Sequence, residues 1–150
     1  MDQLDRQIIR RLVDDGRVPY SRIAEELGVA TTTVHQRVKR LKAQGVIRGT
    51  RVILDWEAVG MPVTAVVSVE YGGTDSLSTV AERMRKVPFV ESCFAVTGEF
   101  DLLLAVRARS SDHLGDVLED IRHVTPGRSR TVIVLATYFE GRVPPVSEGN

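Results

Sequence analysis

Cysteine occurs once in these 150 residues, so an internal disulfide cannot form and a small disulfide-stapled scaffold is excluded. Glycine (12) and proline (6) are too few for a collagen-like or low-complexity chain, and a hydrophobic content of 43% is too high for a disordered one. No run approaches the roughly 18 apolar residues of a membrane-crossing helix. The densest stretches are residues 63–69 and 132–136. The N-terminus, Met1-Asp2-Gln3-Leu4-Asp5, starts acidic and has no basic segment followed by an apolar one, so no signal peptide is expected. A cytoplasmic protein with no membrane partner is the expectation. Lysine is scarce too, at 3 against 17 arginines, a bias that carries no functional weight. The length accommodates one domain of average size or two small ones.

The formal net charge of zero hides a division. Residues 1–51 hold 11 Lys and Arg against 6 Asp and Glu, whereas residues 52–150 hold 9 against 14, giving +5 and −5. Within the basic part, residues 34–51 carry Arg37, Lys39, Arg40, Lys42, Arg48 and Arg51 with no acid. Such a patch suits a polyanion, because each phosphate neutralised releases a counterion. On charge alone a solvated helix face fits equally well.

Leu4, Ile8 and Leu12 follow helical spacing, with Asp2 as N-cap and an end near Gly16. After Pro19, Ile23, Ala24 and Leu27 mark a short second helix stopped by Gly28. Residues 31–44 predict a third, burying Val34, Val38 and Leu41, with Gly45 as its left-handed end. The second and third helices with the turn Gly28-Val29-Ala30 read as a helix-turn-helix. Residues 46–56 are expected to hold a short strand or two, and Gly60-Met61-Pro62 the joint between domains.

The period then changes. Val63, Ala65, Val67, Val69 and Tyr71 alternate as a strand, followed by a helix with Leu77, Val80, Ala81, Met84 and Val87 on one face. Strands at 90–97 and 101–109 flank Gly98-Glu99-Phe100, a helix carries Leu114, Val117, Leu118 and Ile121, and a last strand is expected at 130–140. The order βαββαβ is the ferredoxin-like arrangement. Both helices cover one sheet face, yet the last strand offers Val132, Val134 and Ala136 on one side and Ile133, Leu135 and Phe139 on the other. Both faces ask for burial, which predicts a homodimer formed by the C-terminal domains through the sheet. The domain limits expected are 1–51 (helix-turn-helix), 52–62 (linker strand and joint), 63–142 (ferredoxin-like domain) and 143–150 (frayed tail).

The segments Leu4-Asp5-Arg6-Gln7-Ile8-Ile9, Gly16-Arg17, Ile23-Ala24-Glu25-Glu26-Leu27-Gly28-Val29 and Val34-His35-Gln36-Arg37-Val38-Lys39-Arg40-Leu41-Lys42-Ala43-Gln44-Gly45-Val46-Ile47 together resemble the Lrp/AsnC (feast/famine) transcriptional regulators. Val96-Thr97-Gly98-Glu99-Phe100-Asp101-Leu102-Leu103-Leu104 is similar to that family's Thr-Gly-aromatic-Asp hairpin. The likeness runs over nearly the whole chain, in order. It implies an α+β protein whose N-terminal helix-turn-helix, winged-helix-like domain binds double-stranded DNA. It further implies a ferredoxin-like effector-sensing domain, an amino acid or related small metabolite as effector, and assembly of dimers into tetramers or octamers. The sequence departs from the family pattern in four places. Pro19 and Ala30 stand where a Ser or Thr helix cap is common, so caps are expected from a neighbour such as Thr31; Pro126-Gly127-Arg128 precedes the last strand; and Glu99 lies in the hairpin.

On the third helix Thr32, Thr33, His35, Gln36 and Lys39 lie away from the buried seam, free to enter a major groove. Arg37, Arg40 and Lys42 lie off that face and suit phosphates, which position without reading sequence. His35 fits a surface position without contact equally well, and Arg37 fits a tie to an acid on the first or second helix. For the effector the resemblance points to Thr97, Gly98, Glu99, Phe100 and Asp101. Gly98 permits close approach of backbone N–H groups to a carboxylate, Thr97 offers a hydroxyl, and Asp101 accepts from an ammonium. An ordinary hairpin turn is the alternative for these residues. A contribution of Arg128 and Arg130 to such a site from across an assembly interface is one reading, and surface solvation serves them as well.

No catalytic residue, cofactor or metal site is predicted. Cys93 reads as a small core residue, and His35, His113 and His123 lack metal-ligand spacing. No glycine-rich phosphate loop or nucleophile elbow occurs. The reading is a sequence-specific, amino-acid-responsive DNA-binding regulator. A ligand-independent architectural DNA-binding protein of the same fold, and a small α+β enzyme with a basic N-terminal region, are the alternatives.

Overall fold

The computed structural model describes residues 1–144, and its elements follow the change of period in the sequence: α1 (Gln3–Asp14), α2 (Tyr20–Leu27), α3 (Thr31–Ala43), β1 (Val63–Tyr71), α4 (Leu77–Met84), β2 (Val90–Ala95), β3 (Leu102–Ala108), α5 (Ser111–Val124) and β4 (Gly127–Ile133). The contacts divide the chain into two units, one of Met1–Ile53 with the chain from Phe139, the other Leu54–Tyr138. From Pro145 onward the expected tail lies outside the described residues.

The first unit begins with a reciprocal cap. The Asp5 N–H donates to Asp2 Oδ1 at 2.9 Å and the Asp2 N–H to Asp5 Oδ2 at 3.0 Å, so two N–H groups that the helix cannot use are satisfied. Ile8, Ile23, Ala24, Val34 and Val38 then bury together, with Leu4, Leu12, Val18, Leu27, Val29 and Ile47 packed around them. Gly28, at φ 65°, closes α2, and Gly45, at φ 70°, follows α3. The expected neighbouring cap is absent. Pro19 and Ala30 are the N-caps and neither α2 nor α3 has a side-chain cap hydrogen bond. Thr31 is already helical, whereas a capping hydroxyl acts from the extended residue before the helix.

The short strand or two expected in residues 46–56 does not form among the described residues. Val52, Ile53 and Leu54 are β-formers left exposed, Ile53 by 83%. A strand needs a neighbour for its N–H and C=O groups, and among the described residues no strand pairs with this segment. The following residues turn instead: Asp55 Oδ1 accepts from the Ala58 N–H at 3.1 Å, the Met61 N–H donates to Trp56 O at 2.8 Å, and Gly60 takes φ 78°.

The second unit is an antiparallel sheet in the order β2-β3-β1-β4, with both connections that carry helices crossing one face. Its core joins Ala65, Val67 and Val69 of β1 and Leu102, Leu104, Val106 and Ala108 of β3 to Val80 and Met84 of α4 and Leu114, Val117 and Ile121 of α5. This is the ferredoxin-like arrangement expected from the sequence.

β4 departs from the expected 130–140 at both ends. It starts at Gly127, opposite Tyr71, where φ is 141° and an added Cβ would lie 2.1 Å from Glu70 O, a fit only glycine permits. It ends at Ile133, opposite Ala65, with one more bond from the Val134 N–H to Thr64 O at 2.9 Å, and since β1 begins at Val63 it offers no partner for residues as far as 140. Leu135, Tyr138 and Phe139 therefore project without strand partners, 98%, 94% and 76% exposed. On the face away from the helices the register aligns Phe94, Leu103, Ala105, Val66 and Val132 into an apolar band, of which Phe94 (56%) and Val132 (52%) are well exposed.

Candidate nucleic-acid interface and effector hairpin

α3 buries Val34, Val38 and Leu41, and the helical period therefore turns Thr32, Gln36 and Lys39 outward. All three are exposed, as are His35, Arg40 and Lys42, while Thr33 and Arg37 are half-buried. His35 stands edge-on to Tyr20, ring centroids 4.7 Å apart. Thr32, His35, Gln36 and Lys39 thus share the exposed side of α3, and Thr33 lies on the flank with Arg37 and Arg40.

Arg37 and Arg40 are engaged within the protein. Arg37 Nη1 donates to Asp2 and, at 3.1 Å, to Asp5 Oδ1; Arg40 Nη2 donates to both Asp5 oxygens at 2.9 and 2.8 Å. The Asp5 side chain has no exposed surface, whereas those of Arg37, Arg40 and Asp2 are 25%, 48% and 53% exposed. The hydrogen bond from Arg37 and the Asp5 N–H hold the Asp2 carboxyl down at about 2. For Asp5, burial pushes the carboxyl up and is outweighed by the Asp2 N–H and Arg37, which hold it below the ordinary carboxylate range. The tie between Arg37 and an acid of the first helix is the alternative weighed from the sequence. That between Arg40 and Asp5 was not legible, although Asp2 and Asp5 spaced as a capping box signal that both carboxylates sit at one helix start. Beside this cluster Thr33, Gln36, Arg37 and Arg40 line a concavity of about 260 Å³.

In the second unit the β2–β3 hairpin gathers Thr97, Gly98, Glu99, Phe100 and Asp101 at one end of the sheet. Thr97, Gly98 and Glu99 are exposed and Phe100 and Asp101 half-buried. Gly98 takes φ 123° and an added Cβ would meet nothing within 4 Å. Asp101 is structural on one side: its Oδ2 accepts from the Tyr71 N–H at 2.8 Å, and its own N–H donates to Val69 O at 2.9 Å. Arg128 donates to Glu70 Oε2 from Nε and Nη2 at 2.8 and 2.6 Å and lies 3.7 Å from Glu99 Oε1, so the β4 start and the hairpin share one charged cluster. The bond to Glu70 raises the Arg128 pKa further. Glu70 and Tyr71 escaped the sequence reading because their place beside the hairpin depends on strand order.

Cys93 packs half-buried against Leu104 and the sheet core, and burial pushes its thiol up, away from nucleophilic use. Among the described residues no three His, Cys, Asp or Glu side chains gather as metal ligands, and no helix is long and apolar enough to cross a membrane.

Comparison with known proteins covers both units. Residues 1–42 match the AsnC-type helix-turn-helix domain and residues 64–144 the Lrp/AsnC ligand binding domain. The chain is 34% identical over 142 residues to the HTH-type transcriptional regulator LrpA of Mycobacterium tuberculosis, covering 95% of each chain. It is 32% identical over 148 residues to the HTH-type transcriptional regulator FL11 of Pyrococcus horikoshii, covering 97% of each. Among solved structures, the feast or famine regulatory protein of M. tuberculosis complexed with L-methionine superposes with a TM-score of 0.90 at 33% identity, over 96% of this chain and 98% of that one. These matches are to regulators, as the resemblance in the sequence implied.

Proposed function

The chain belongs to the Lrp/AsnC family of transcriptional regulators, and from that premise we propose how its residues divide the work of a DNA-binding regulator that answers to an amino acid. α3 enters the major groove with Thr32, Thr33, His35, Gln36 and Lys39 toward base edges, and Arg37, Arg40 and Lys42 toward phosphates. The observation that carries this reading is the helix itself: one side packs the core through Val34, Val38 and Leu41, and the side opposite is polar, basic and exposed. The effector is an α-amino acid held near Thr97, Gly98, Glu99, Phe100 and Asp101, a class supported by the relative solved with L-methionine.

A second copy of the chain covers the apolar band of Val66, Phe94, Leu103, Ala105 and Val132, making a dimer that assembles further into tetramers or octamers and presents two copies of α3 to half-sites one or more helical turns apart. The protein acts in the cytoplasm, on chromosomal DNA. Light scattering on the pure protein tests the whole reading, repeated with each of the twenty amino acids and with duplex DNA from upstream of its own gene. DNA binding together with an amino-acid-dependent change of mass or affinity is expected. Binding that no amino acid alters removes the effector half of the reading, and no binding at low salt removes all of it.

A further inference from the structure

Four side chains at helical spacings, Thr33, Gln36, Arg37 and Arg40, fall along one flank of α3 and line the 260 Å³ concavity. That volume is several times the roughly 30 Å³ share of one water, room enough for a tetrahedral oxyanion. The residues that line it carry donors: a hydroxyl, an amide and two guanidinium groups. Behind it the Asp5 carboxylate, wholly buried, takes Arg40 Nη2 on both oxygens and Arg37 Nη1 on one. The two guanidiniums would repel each other without that carboxylate between them; with it they are fixed side by side at the protein's surface. Arg37 Nη1 is shared with a second acid, Asp2, whose side chain is more than half exposed. One of the two carboxylates on Arg37 is therefore locked in the fold and the other faces the solvent from which DNA arrives.

We propose that Thr33, Gln36, Arg37 and Arg40 form a seat for a single backbone phosphodiester, that Asp5 is the positioning residue that assembles it, and that Asp2 is an internal competitor which a DNA phosphate displaces from Arg37. This rests on the DNA-binding reading above and refines it. The flank of α3 nearest α1 grips the backbone, and Thr32, His35 and Lys39, with Gln36 shared at the rim, are left to face base edges. The competitor also keeps free protein from binding any polyanion at full strength, because Arg37 must exchange one anion for another before it contributes. Arg40, whose side-chain hydrogen bonds among the described residues go to Asp5, contributes without exchange.

Fluorescence anisotropy of a labelled mixed-sequence duplex, titrated with the whole protein over a range of salt, tests the seat. Asp2→Asn keeps a good N-cap while removing the competing charge. It is expected to tighten binding by about two- to fivefold at low salt and to leave the log–log salt slope unchanged or steeper by up to about 0.9. Arg40→Gln is expected to flatten that slope by about 0.9, one phosphate's worth. In an Asp5→Asn background the same Arg40→Gln change is expected to move the slope far less, since an unaimed guanidinium no longer holds its phosphate; a purely structural Asp5 would leave the slope change intact. Should Asp5→Asn fail to fold, the Asp2→Asn and Arg40→Gln arms still decide. If wild-type protein binds the duplex but Asp2→Asn binds no tighter, or Arg40→Gln leaves the slope alone, the seat is wrong while the DNA-binding reading stands. Absence of wild-type binding at low salt overturns both.

Discussion

Asp5 on α1 and Arg40 on α3, thirty-five residues apart in sequence, meet through two hydrogen bonds of 2.9 and 2.8 Å from one guanidinium nitrogen to both carboxylate oxygens. This pairing and the Asp2–Asp5 cap make the start of α1 a brace for α3. Because Asp5 is buried and its partners are only partly so, truncating it leaves two arginines able to turn to water. Asp5→Ala is therefore expected to cost about 1 to 3 kcal/mol, in the range of charged hydrogen bonds, and not the larger loss of an uncompensated buried charge. Urea unfolding followed by helical circular dichroism measures it. An unchanged midpoint would deny the brace.

Acid should undo the same brace in a defined window. The Asp2 carboxyl sits at about 2 in the folded protein against an ordinary 3.8, so the unfolded chain takes up its proton first. The stability it contributes is fully present above about 4 and is lost as pH falls through about 2. Wild-type protein is expected to lose melting temperature more steeply than Asp2→Asn between pH 4 and 2, with the difference between the two closing at the acid end. Parallel curves over that range would separate Asp2 from the stability of α1.

Gly127 and Gly98 differ in what surrounds them, and substitution should separate backbone from site. Alanine at Gly127 places a Cβ 2.1 Å from Glu70 O at φ 141°, so β4 must detach at its start; several kcal/mol, above the ~1 to 3 of backbone strain alone, is the expected loss. Alanine at Gly98 meets open space and costs only the strain of φ 123°, about 1 to 3 kcal/mol. Gly98→Val is expected to remove the effector response while sparing DNA binding. Equal destabilisation by the two alanines would contradict the geometry, and a retained effector response in Gly98→Val would move the effector site away from the hairpin.

Much of this was written in the chain. Periodicity located five helices and the order of four strands because each buries one face, and alternation in Val63, Ala65, Val67 and Val69 is a local property. Charge marked residues 34–51, which hold no acid, as the candidate polyanion face. The strand expectations that failed share one cause: pairing is not local. Residues 46–56 have strand-forming side chains but pair with no strand among the described residues, and β1, which begins at Val63, offers no partner for a β4 as long as 130–140, so Leu135 and Phe139 fall outside a strand that their own composition favours. The guanidiniums of Arg37 and Arg40 are basic wherever they lie; only the packing of α1 on α3 reveals that Asp2 and Asp5 hold them.

The apolar band on the outer sheet face yields the last prediction. Phe94 pairs with Leu103 across β2 and β3, and Val132 with Val66 and Ala105 across β4, β1 and β3 one row along, so the band steps across all four strands, with Ser68 and Arg130 at the far end of the Phe94 row. Phe94 is 56% exposed, so replacing it costs the isolated fold little. In a dimer closed by two such faces, each Phe94 meets the partner's apolar band, and an aromatic at the centre of an interface carries a large share of its energy. Phe94→Asp is expected to weaken self-association by roughly tenfold or more, the effect of losing one strong interface anchor, while the melting temperature measured at concentrations where both proteins are monomeric stays nearly constant. Sedimentation velocity over a dilution series measures the association. An unchanged mass in the variant would place the dimer contact elsewhere, with the exposed Leu135, Tyr138 and Phe139 the next residues to change.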